Sequence, residues 1–333
     1  MNARRAAPSI AAFFICAVAS ALPRDRSIGQ LHHTAWTAKD GAPSQISALA
    51  QTTDGYLWIG TARGLYRFDG VEFEPFAPHA VELPSHNIYS LLPTPDGGLW
   101  IAFRPSGLGF WKDGRMTVLS RPEELPESQV YVMARDGDGR LWAGTHTGLV
   151  LRSGSKWIGI GAAWNFQPGR IRALLVDRDG TLWVATDTTV VVLRRGAKTF
   201  EPTGVRAKNV MKMTEANDGV IWVSELEPAS DATRSPNSRV TVGVNAFDIL
   251  FDRDGALWEA SDEDVLVRVP FLTRPADGVY SLHDVGSERF GESDGLTAGP
   301  LALLEDHEGN IWVGTNKGLD RFRYSHVVPV PLP

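Results

Sequence analysis

A short motif centred on tryptophan recurs along the chain and constrains its fold more than any other feature. In each copy an acidic residue and a glycine are followed, after two residues, by the tryptophan and a short apolar segment, as in Asp54-Gly-Tyr-Leu-Trp58. Successive tryptophans are 42, 42, 41, 39, 36 and 54 residues apart. A unit of about 40 residues accommodates four short strands and their turns. The repeat therefore predicts an all-β protein, a seven-bladed β-propeller with four-stranded antiparallel blades. The motif tryptophans are Trp58, Trp100, Trp142, Trp183, Trp222, Trp258 and Trp312.

The pattern within one repeat places the four strands of a blade, which we name a to d from the centre outwards. In the second repeat, alternation and turn residues predict strand a at 88–93, strand b at 99–103, strand c at 107–112 and strand d at 116–120. The other repeats follow the same plan. A tight Asp-Gly turn joins strands a and b in each of them.

Strand b is apolar or small on both of its faces. In the first repeat Leu57 and Ile59 face one side, and Trp58 and Gly60 face the other. A sheet stacked between two neighbours needs such a strand, because tryptophan fills one interface and glycine or alanine lets the next sheet approach. We therefore expect every blade to be buried on both faces.

The two ends of the repeat array predict how the ring closes. Segment 31–36 precedes the first strand a, at 46–51, and occupies the place of a strand d without a sheet of its own. The last repeat has a strand c at 319–324, followed by a proline-containing tail that cannot donate ladder hydrogen bonds. We expect the N-terminal strand to complete blade seven and remove an exposed edge. The 54-residue interval predicts an insertion between Val267 and Gly291.

The first residues have the pattern of a secretory signal peptide. Arg4 and Arg5 precede an apolar run, residues 10–22, which ends in small residues typical of a cleavage site. The run is shorter than the roughly 20 residues that a membrane-spanning helix needs. The sequence thus predicts a signal peptide at 1–21, a propeller at 31–326 and a Pro-rich tail at 327–333, in a periplasmic or secreted protein. The single cysteine, Cys16, lies in the leader, so we expect a mature chain without disulfides.

The charge of the chain bears on the partners it could bind. The formal net charge is −6 with an isoelectric point near 5.8, and no basic stripe is visible in the sequence. Nucleic-acid surfaces carry clustered positive charge that neutralises phosphates. We therefore expect no nucleic-acid partner.

Three of the repeats resemble a known family. Residues 54–68 read DGYLWIGTARGLYRF, residues 138–152 read DGRLWAGTHTGLVLR and residues 308–322 read EGNIWVGTNKGLDRF. These segments, with the opening TAWTAKDGAPS at 34–44, resemble the two-component regulator propeller repeats of periplasmic sensor regions of bacterial histidine kinases and hybrid two-component sensors. The resemblance covers residues 31–325 and implies a sensor propeller, some relatives of which respond to oligosaccharides. Family members usually continue into a second propeller and a kinase, which these residues do not include. The resemblance therefore implies a membrane histidine kinase, or the remainder of one, as the output partner.

Several motifs suggest chemistry but are better explained by the repeat. The pairs Asp136/Asp138, Asp177/Asp179 and Asp252/Asp254 begin like calcium loops, yet each runs into a strand and lacks the further oxygen ligands of such a loop. We interpret them as turns in which aspartate accepts backbone hydrogen bonds. We expect no metal and no cofactor.

Catalytic patterns are weak in this sequence. The eight histidines form no H-x-x-x-H pair, and no G-x-S-x-G motif places a nucleophile on a strained turn. No helical segment carries a histidine acceptor for kinase chemistry. We therefore expect no catalytic residues and no enzymatic activity within this chain, and a secreted propeller lyase is the alternative.

Propeller topology indicates which face binds a ligand. The b-to-c and d-to-a connections lie together on one face around the central channel, whereas the repeated Asp-Gly turns lie on the other. Polar residues that the repeat does not dictate occupy the first of these faces, and such groups suit a polar or sugar-like ligand. The candidate ligand-binding residues are Gln45, Arg63, His86, Arg104, His146, Arg170, Asp187 and Lys317.

The sequence leaves three functional hypotheses. The leading one is an extracytoplasmic ligand-sensing propeller of a two-component system, without its own kinase output, that binds an oligosaccharide or another polar small ligand. A lyase would show a metal-bound or strongly pKa-perturbed His/Glu cluster at the channel mouth. A protein-protein interaction scaffold would show an exposed apolar patch there.

Overall fold

The computed structural model describes residues 26–78, 81–105, 107–119, 129–206, 208–226, 239–271 and 286–324, and their regular secondary structure is almost entirely β-strand. Four short 3-10 helices interrupt them at Ile28–Gln30, Ala38–Asp40, Ala162–Trp164 and Glu292–Asp294. The first strands are β1 His32–Thr37, β2 Ile46–Gln51, β3 Leu57–Thr61, β4 Gly64–Phe68, β5 Phe73–Pro75, β6 Asn87–Pro93, β7 Leu99–Arg104, β8 Leu108–Lys112, β9 Arg115–Leu119, β10 Val130–Arg135, β11 Leu141–Thr145, β12 Leu149–Ser153 and β13 Lys156–Gly159. The remainder are β14 Ile171–Val176, β15 Leu182–Thr186, β16 Thr189–Leu193, β17 Glu201–Arg206, β18 Val210–Glu215, β19 Ile221–Glu225, β20 Val240–Val244, β21 Ala246–Phe251, β22 Leu257–Ser261, β23 Leu266–Val269, β24 Glu288–Phe290, β25 Pro300–Glu305, β26 Ile311–Thr315 and β27 Gly318–Arg323.

These strands form seven sheets around a central channel, which confirms the predicted seven-bladed propeller. Six sheets have four antiparallel strands, and each strand a contacts strand a of the next blade around the whole ring. The a strands of blades one to seven are β2, β6, β10, β14, β18, β21 and β25. In the second blade the predicted strands agree with β6 to β9 to within one residue at each described end.

The ring closes through the N-terminal strand, as the sequence predicts. β1 pairs antiparallel with β27, with His33 opposite Phe322 and Trp36 opposite Leu319. The seventh sheet therefore contains three strands from the end of the chain and one from its beginning. Trp36 stacks on the motif tryptophan Trp312, with ring centroids 5.6 Å apart. Its packing thus joins β1 to the blade core as well as to the ladder.

Blade five departs from the four-stranded antiparallel plan. Within the part of the chain that the structure describes it has three strands, β18 to β20, and β20 pairs with β19 in parallel. A parallel partner needs a crossover, and the 14 residues between Glu225 and Val240 supply a longer connection than the tight turn of the other blades. The regular plan is therefore confirmed in six blades and not in this one.

The expanded sixth interval falls within blade six. Strand c of that blade ends at Val269 and strand d begins at Glu288, so the additional residues lie inside the predicted interval. The predicted leader at 1–21, Cys16 and the tail at 327–333 lie outside the described residues. Among the residues that are described, no helix is long and apolar enough to cross a membrane.

The Asp-Gly turns and the tryptophans form one hydrogen-bonded unit. In blade three the buried Asp136 accepts hydrogen bonds from the indole Nε1 of Trp142 at 2.8 Å and from the amides of Asp138 and Arg140. Blades four, six and seven repeat this arrangement with Asp177, Asp252 and Asp306. All seven turn glycines have φ between 81° and 89°, a region that glycine adopts at little cost. The turn interpretation of the aspartate pairs is therefore supported by their contacts.

The blades pack by matching a small residue of strand b to a buried residue at the start of the next strand a. A Cβ added at Gly144 would lie 2.6 Å from Cγ2 of Ile171, and one at Gly60 would lie 2.7 Å from Cγ2 of Ile88. Where strand b has alanine, the next strand a begins with a smaller residue, as in the pairs Ala102 with Val130 and Ala185 with Val210. The summed side-chain volume of the two paired positions is therefore nearly constant from one blade interface to the next.

This matching predicts the effect of filling one interface. Gly144→Ala should destabilise the protein by about 1–3 kcal/mol, because the added methyl group overpacks the boundary between blades three and four. Ile171→Val reproduces the alanine-valine pairing when it is combined with Gly144→Ala. It should therefore reduce the free energy of unfolding less in the Gly144→Ala variant than in the wild type. Urea unfolding followed by tryptophan fluorescence measures both values. Gly159→Ala is the control, since no atom lies within 4 Å of its added Cβ; an equal cost at Gly159 would show that interblade packing is not the cause.

Candidate functional site

The b-to-c turns of several blades have the same local structure. Thr61 Oγ1 donates to the carbonyl of Gly64 at 2.9 Å and accepts the amide of Arg63 at 3.0 Å. Thr145, Thr186 and Thr315 repeat the donated hydrogen bond in blades three, four and seven. The threonine fixes the turn, so the residue that follows it is free to vary. These variable positions lie at the mouth of the channel.

The end of the channel near these turns is a cavity of about 710 Å³. In every strand a, the residue that follows the buried interblade residue lines it, because that position faces the centre of the ring. Residues of the d-to-a loops and of the b-to-c turns complete the rim. The strand-a positions are Ser47, Tyr89, Tyr131, Arg172, Met211, Phe247 and Leu301.

Charged side chains are unevenly distributed around the cavity. Arg104, Arg170, Arg172 and Lys212 line it, together with one carboxylate, Asp248. Lys212 Nζ lies 3.4 Å from Asp248 Oδ1. The three arginines belong to the arc formed by blades two to four, whereas Met211, Phe247 and Leu301 lie on the opposite side. The arc therefore holds three of the four cationic side chains of the site.

Two of these arginines lie against tyrosine rings. The guanidinium carbon of Arg104 is 4.6 Å from the ring centre of Tyr89, and that of Arg170 is 4.8 Å from the ring centre of Tyr131. The two tyrosine rings are themselves 5.4 Å apart. Stacking of a guanidinium on an aromatic face contributes about 0.5–2 kcal/mol and orients the cation. We name Tyr89, Arg104, Tyr131 and Arg170 the arginine-tyrosine cluster.

Further contacts extend this cluster into the neighbouring turns. His146 Nδ1 lies 3.2 Å from the hydroxyl of Tyr131. Arg172 Nε donates to Asp187 Oδ1 at 2.5 Å. His146 and Asp187 thus hold cavity-lining side chains in place without lining the cavity themselves.

The eight residues predicted from the sequence fall into three groups. Gln45, Arg104 and Arg170 line the cavity. His146 and Asp187 contact residues that line it. The other three do not line it: Arg63 and His86 are exposed, and Lys317 pairs with Glu292 at 3.1 Å. Arg63 and Lys317 occupy the second position after the turn threonine, and the first position, Ala62 or Asn316, faces the channel instead.

Sequence reasoning missed the residues that strand a contributes. Tyr89, Tyr131 and Arg172 each follow a buried β-branched residue at the start of a strand a. This position alternates with the interblade position, so a large polar or aromatic residue there was a usable signal. Such a residue indicates a channel-lining position only because strand a is innermost. The same residue on strand c would face a neighbouring blade.

The titratable groups with raised pKa values lie away from the cavity lining. Burial raises the pKa of Glu259 to about 7, and the charge of Arg289 opposes this shift. Burial also raises the pKa of Glu225, against a hydrogen bond from the amide of Lys208. Both residues lie in strand b, at positions where the other blades have an apolar residue, threonine or serine. Among the described residues, no three His, Cys, Asp or Glu side chains are arranged to hold a metal ion.

Glu259 predicts a pH-dependent stability. Its folded-state pKa lies above the ordinary 4.5, so burial of Glu259 carries no charge penalty below pH 4.5. As pH rises through 7 the buried carboxyl must ionise, and the folded state loses stability relative to the unfolded state. Glu259→Val, which restores the residue type of Val184 and Val313, should raise the free energy of unfolding by about 3 kcal/mol at pH 8 and by much less at pH 4. Urea unfolding at the two pH values measures this. An equal gain for Glu259→Val at both pH values would contradict the explanation.

Comparisons with known proteins agree with the fold and its repeat. Segments 40–63, 82–104, 124–147, 165–188 and 298–317 match the family described as "Two component regulator propeller". Each segment includes strands a and b of one blade, and the blades matched are one to four and seven. The chain is a seven-bladed β-propeller. Five of its blades contain segments that match two component regulator propeller repeats.

Similar solved structures show the same architecture at low sequence identity. The extracellular domain described as that of a hybrid two component system of B. thetaiotaomicron has a TM-score of 0.69 and 18% identity, over 90% of this chain and 42% of that one. Virginiamycin B lyase of Staphylococcus aureus, with quinupristin, has a TM-score of 0.63 and 12% identity, over 89% and 100%. YCF48 bound to D1 peptide has a TM-score of 0.60 and 15% identity, over 94% and 100%.

These likenesses concern the fold alone, because all three identities are low. The chain spans about two fifths of the length of the two component system domain that it matches. No curated protein sequence matches the chain.

Proposed function

We propose that the chain is an extracytoplasmic ligand-sensing propeller of a two-component system, and that it binds a polar small ligand at the loop-face end of its channel. The observation that carries this proposal is the cavity of about 710 Å³, whose rim bears polar and cationic side chains that the repeat does not dictate. Binding sites for small ligands commonly have volumes of about 300–1,000 Å³ and a few convergent polar groups. The two component regulator propeller repeats support the signalling role.

The output of such a sensor needs a partner. We propose a membrane histidine kinase, in the same polypeptide or in a separate one, as the protein that receives the signal. The B. thetaiotaomicron neighbour, an extracellular domain of a hybrid two component system, supports this assignment by analogy of fold. In this proposal the chain itself binds the ligand and carries out no reaction.

A blocked cavity tests the ligand-binding proposal. We would titrate the full chain with neutral and acidic trisaccharides and record the rise of its thermal midpoint, which increases with ligand concentration when the folded state binds. Ser47→Trp should abolish the rise, because Ser47 lines the cavity. Ser153→Trp makes the same change at the exposed end of β12, on the opposite face, and should leave it unchanged. A rise that survives Ser47→Trp, or no rise with any of these sugars, would contradict the proposal.

A second candidate function is a lyase, and one contact favours it. Tyr131 and His146 lie 3.2 Å apart beside Arg170, so a proton acceptor and a cation are close together at the channel mouth. In a uronic-acid chain such a pair would remove the C5 proton. The electron pair of the C5–H bond would form a C4=C5 double bond, and the C4–O bond would break. The departing oxygen would take a proton. The ultraviolet absorbance of the unsaturated product, lost in Tyr131→Phe, would establish this function in place of sensing.

A further inference from the structure

The cavity differs in charge from the rest of the molecule. The chain has a net charge of −6, yet four cationic side chains line the cavity against a single carboxylate. Two of the four, Arg172 and Lys212, have carboxylate partners in Asp187 and Asp248. Arg104 and Arg170 are left to set the potential at the mouth. A concave site with one sign of charge concentrates ligands of the opposite sign.

Neither the side chain of Arg104 nor that of Arg170 has an ion pair or a hydrogen bond among the described residues, whereas arginine side chains elsewhere in the fold commonly do. Arg67, Arg178 and Arg253, for example, pair with glutamates at 2.5–2.9 Å. The Nε of Arg170 is buried without a partner, so the stem of this side chain is enclosed. Both guanidinium groups are nevertheless oriented, because each lies on a tyrosine ring. A flat guanidinium held by its face keeps its edge available for a planar oxyanion.

Neutral hydrogen-bonding groups line the remaining polar part of the cavity. They are amides and hydroxyls, which donate to and accept from sugar hydroxyls. They come from blades one, two and seven, and so continue the rim from the arginine-tyrosine cluster. These residues are Gln45, Ser47, Asn87, Ser90 and Asn316.

We propose that the ligand is an acidic oligosaccharide, and that Arg104 and Arg170 bind its carboxylate or sulfate group while the neutral groups bind its hydroxyls. This inference rests on the proposed function, because it assigns the ligand class of the same cavity. The charge-assisted hydrogen bonds of the two arginines give the site its preference for acidic over neutral sugars. A uronic acid and a sulfated sugar share this oxyanion chemistry, and the experiment separates them.

Calorimetric titration of the full chain compares matched ligands. The probes are tri-galacturonic acid, the same trisaccharide with its carboxyl groups reduced to alcohols, and a sulfated disaccharide. The reduced trisaccharide should bind about 10- to 100-fold more weakly than the acid, because it lacks the charge-assisted hydrogen bonds. Added salt should weaken the binding of the acid and leave that of the reduced form unchanged. The stronger of the two acidic probes identifies the oxyanion.

Variants locate the preference at the two arginines. Arg104→Gln with Arg170→Gln should reduce the affinity for the acidic probe to that of the reduced form and abolish its salt dependence. Neither substitution removes an ion pair between described residues, and an unchanged thermal midpoint verifies folding. Arg63→Gln is the matched control, since Arg63 is exposed on the same face but does not line the cavity.

The outcomes distinguish this inference from the function on which it rests. Equal affinity for the acidic and reduced trisaccharides, or full affinity in the double variant, would overturn the acidic-ligand inference and leave a neutral-sugar sensor. Failure of all three probes to bind would overturn the inference. If the neutral trisaccharides of the thermal-midpoint experiment also failed to bind, the proposed function would be overturned as well.

Discussion

Replacing Asp320 with alanine is expected to destabilise the propeller by about 3–5 kcal/mol, because this buried carboxylate connects three segments of the closing blade. It contacts Nε2 of His33 on β1 at 2.7 Å and accepts the amide of Thr297 at 3.2 Å and the Thr297 hydroxyl. Asp320 itself lies in β27 and is fully buried. Its removal would leave these partly buried groups without this acceptor. Urea unfolding followed by tryptophan fluorescence measures the loss.

The position of the damage can be tested as well as its size. Hydrogen exchange of the variant should show that residues 32–37 lose protection first, because His33 is the group of β1 that Asp320 holds. Glu74→Ala is the control: it removes a carboxylate from an exposed ion pair with Arg67 and should cost less than about 1 kcal/mol. A small effect of Asp320→Ala, or a loss of protection that begins elsewhere, would contradict this role in ring closure.

The second large effect is expected at the turn of blade three. Asp136→Ala should destabilise the protein by about 3 kcal/mol, because it removes the acceptor of the Trp142 indole and of two turn amides. Asp136→Thr should recover part of the loss, since Thr52 accepts the indole of Trp58 at 2.9 Å in blade one. The free energy of unfolding in urea is the measurement.

A neighbouring aspartate provides the control for this prediction. Asp138 lies in the same turn, but it is partly exposed and forms ion pairs with Arg140 and Arg195 at 3.4 and 3.2 Å. Asp138→Ala should cost less than about 1 kcal/mol. If both substitutions destabilised the protein equally, the loss would come from removing a negative charge from the turn, and not from losing the indole hydrogen bond.

The scaffold was predictable because its determinants are local and repeated. Each motif tryptophan marks a strand b, and the preceding turn is specified by a glycine and an acidic residue, so seven copies give seven blades. Blade five was less predictable. It has Ala216 where most other blades have the indole acceptor. It has Ser224 where the others have glycine or alanine, and Glu225 where most have threonine. Its parallel strand β20 follows a long connection that no short-range pattern specifies.

The site was predictable only in part. Sequence topology predicted that the b-to-c and d-to-a connections surround the channel mouth, and Arg104 and Arg170, which line the cavity there, were among the candidates. It could not show that these arginines lie on Tyr89 and Tyr131. The Arg104–Tyr89 contact depends on side-chain direction within blade two, and the Arg170–Tyr131 and Tyr89–Tyr131 contacts join neighbouring blades. Nor could it distinguish Arg63, which is directed away from the cavity, from Ala62, which lines it. Side-chain direction at a turn depends on the backbone of that turn, and residue type alone does not report it.

Hydrogen exchange of the full chain with and without tri-galacturonic acid tests the central claim most directly. If the ligand binds at the arginine-tyrosine cluster, protection should increase at the starts of β6, β10 and β14 and in the turns 145–148 and 186–189. The Asp-Gly turns at 136–140 and 177–181, on the opposite face, should exchange as before. Protection confined to those turns, or no change at a saturating concentration of the acid, would contradict the account.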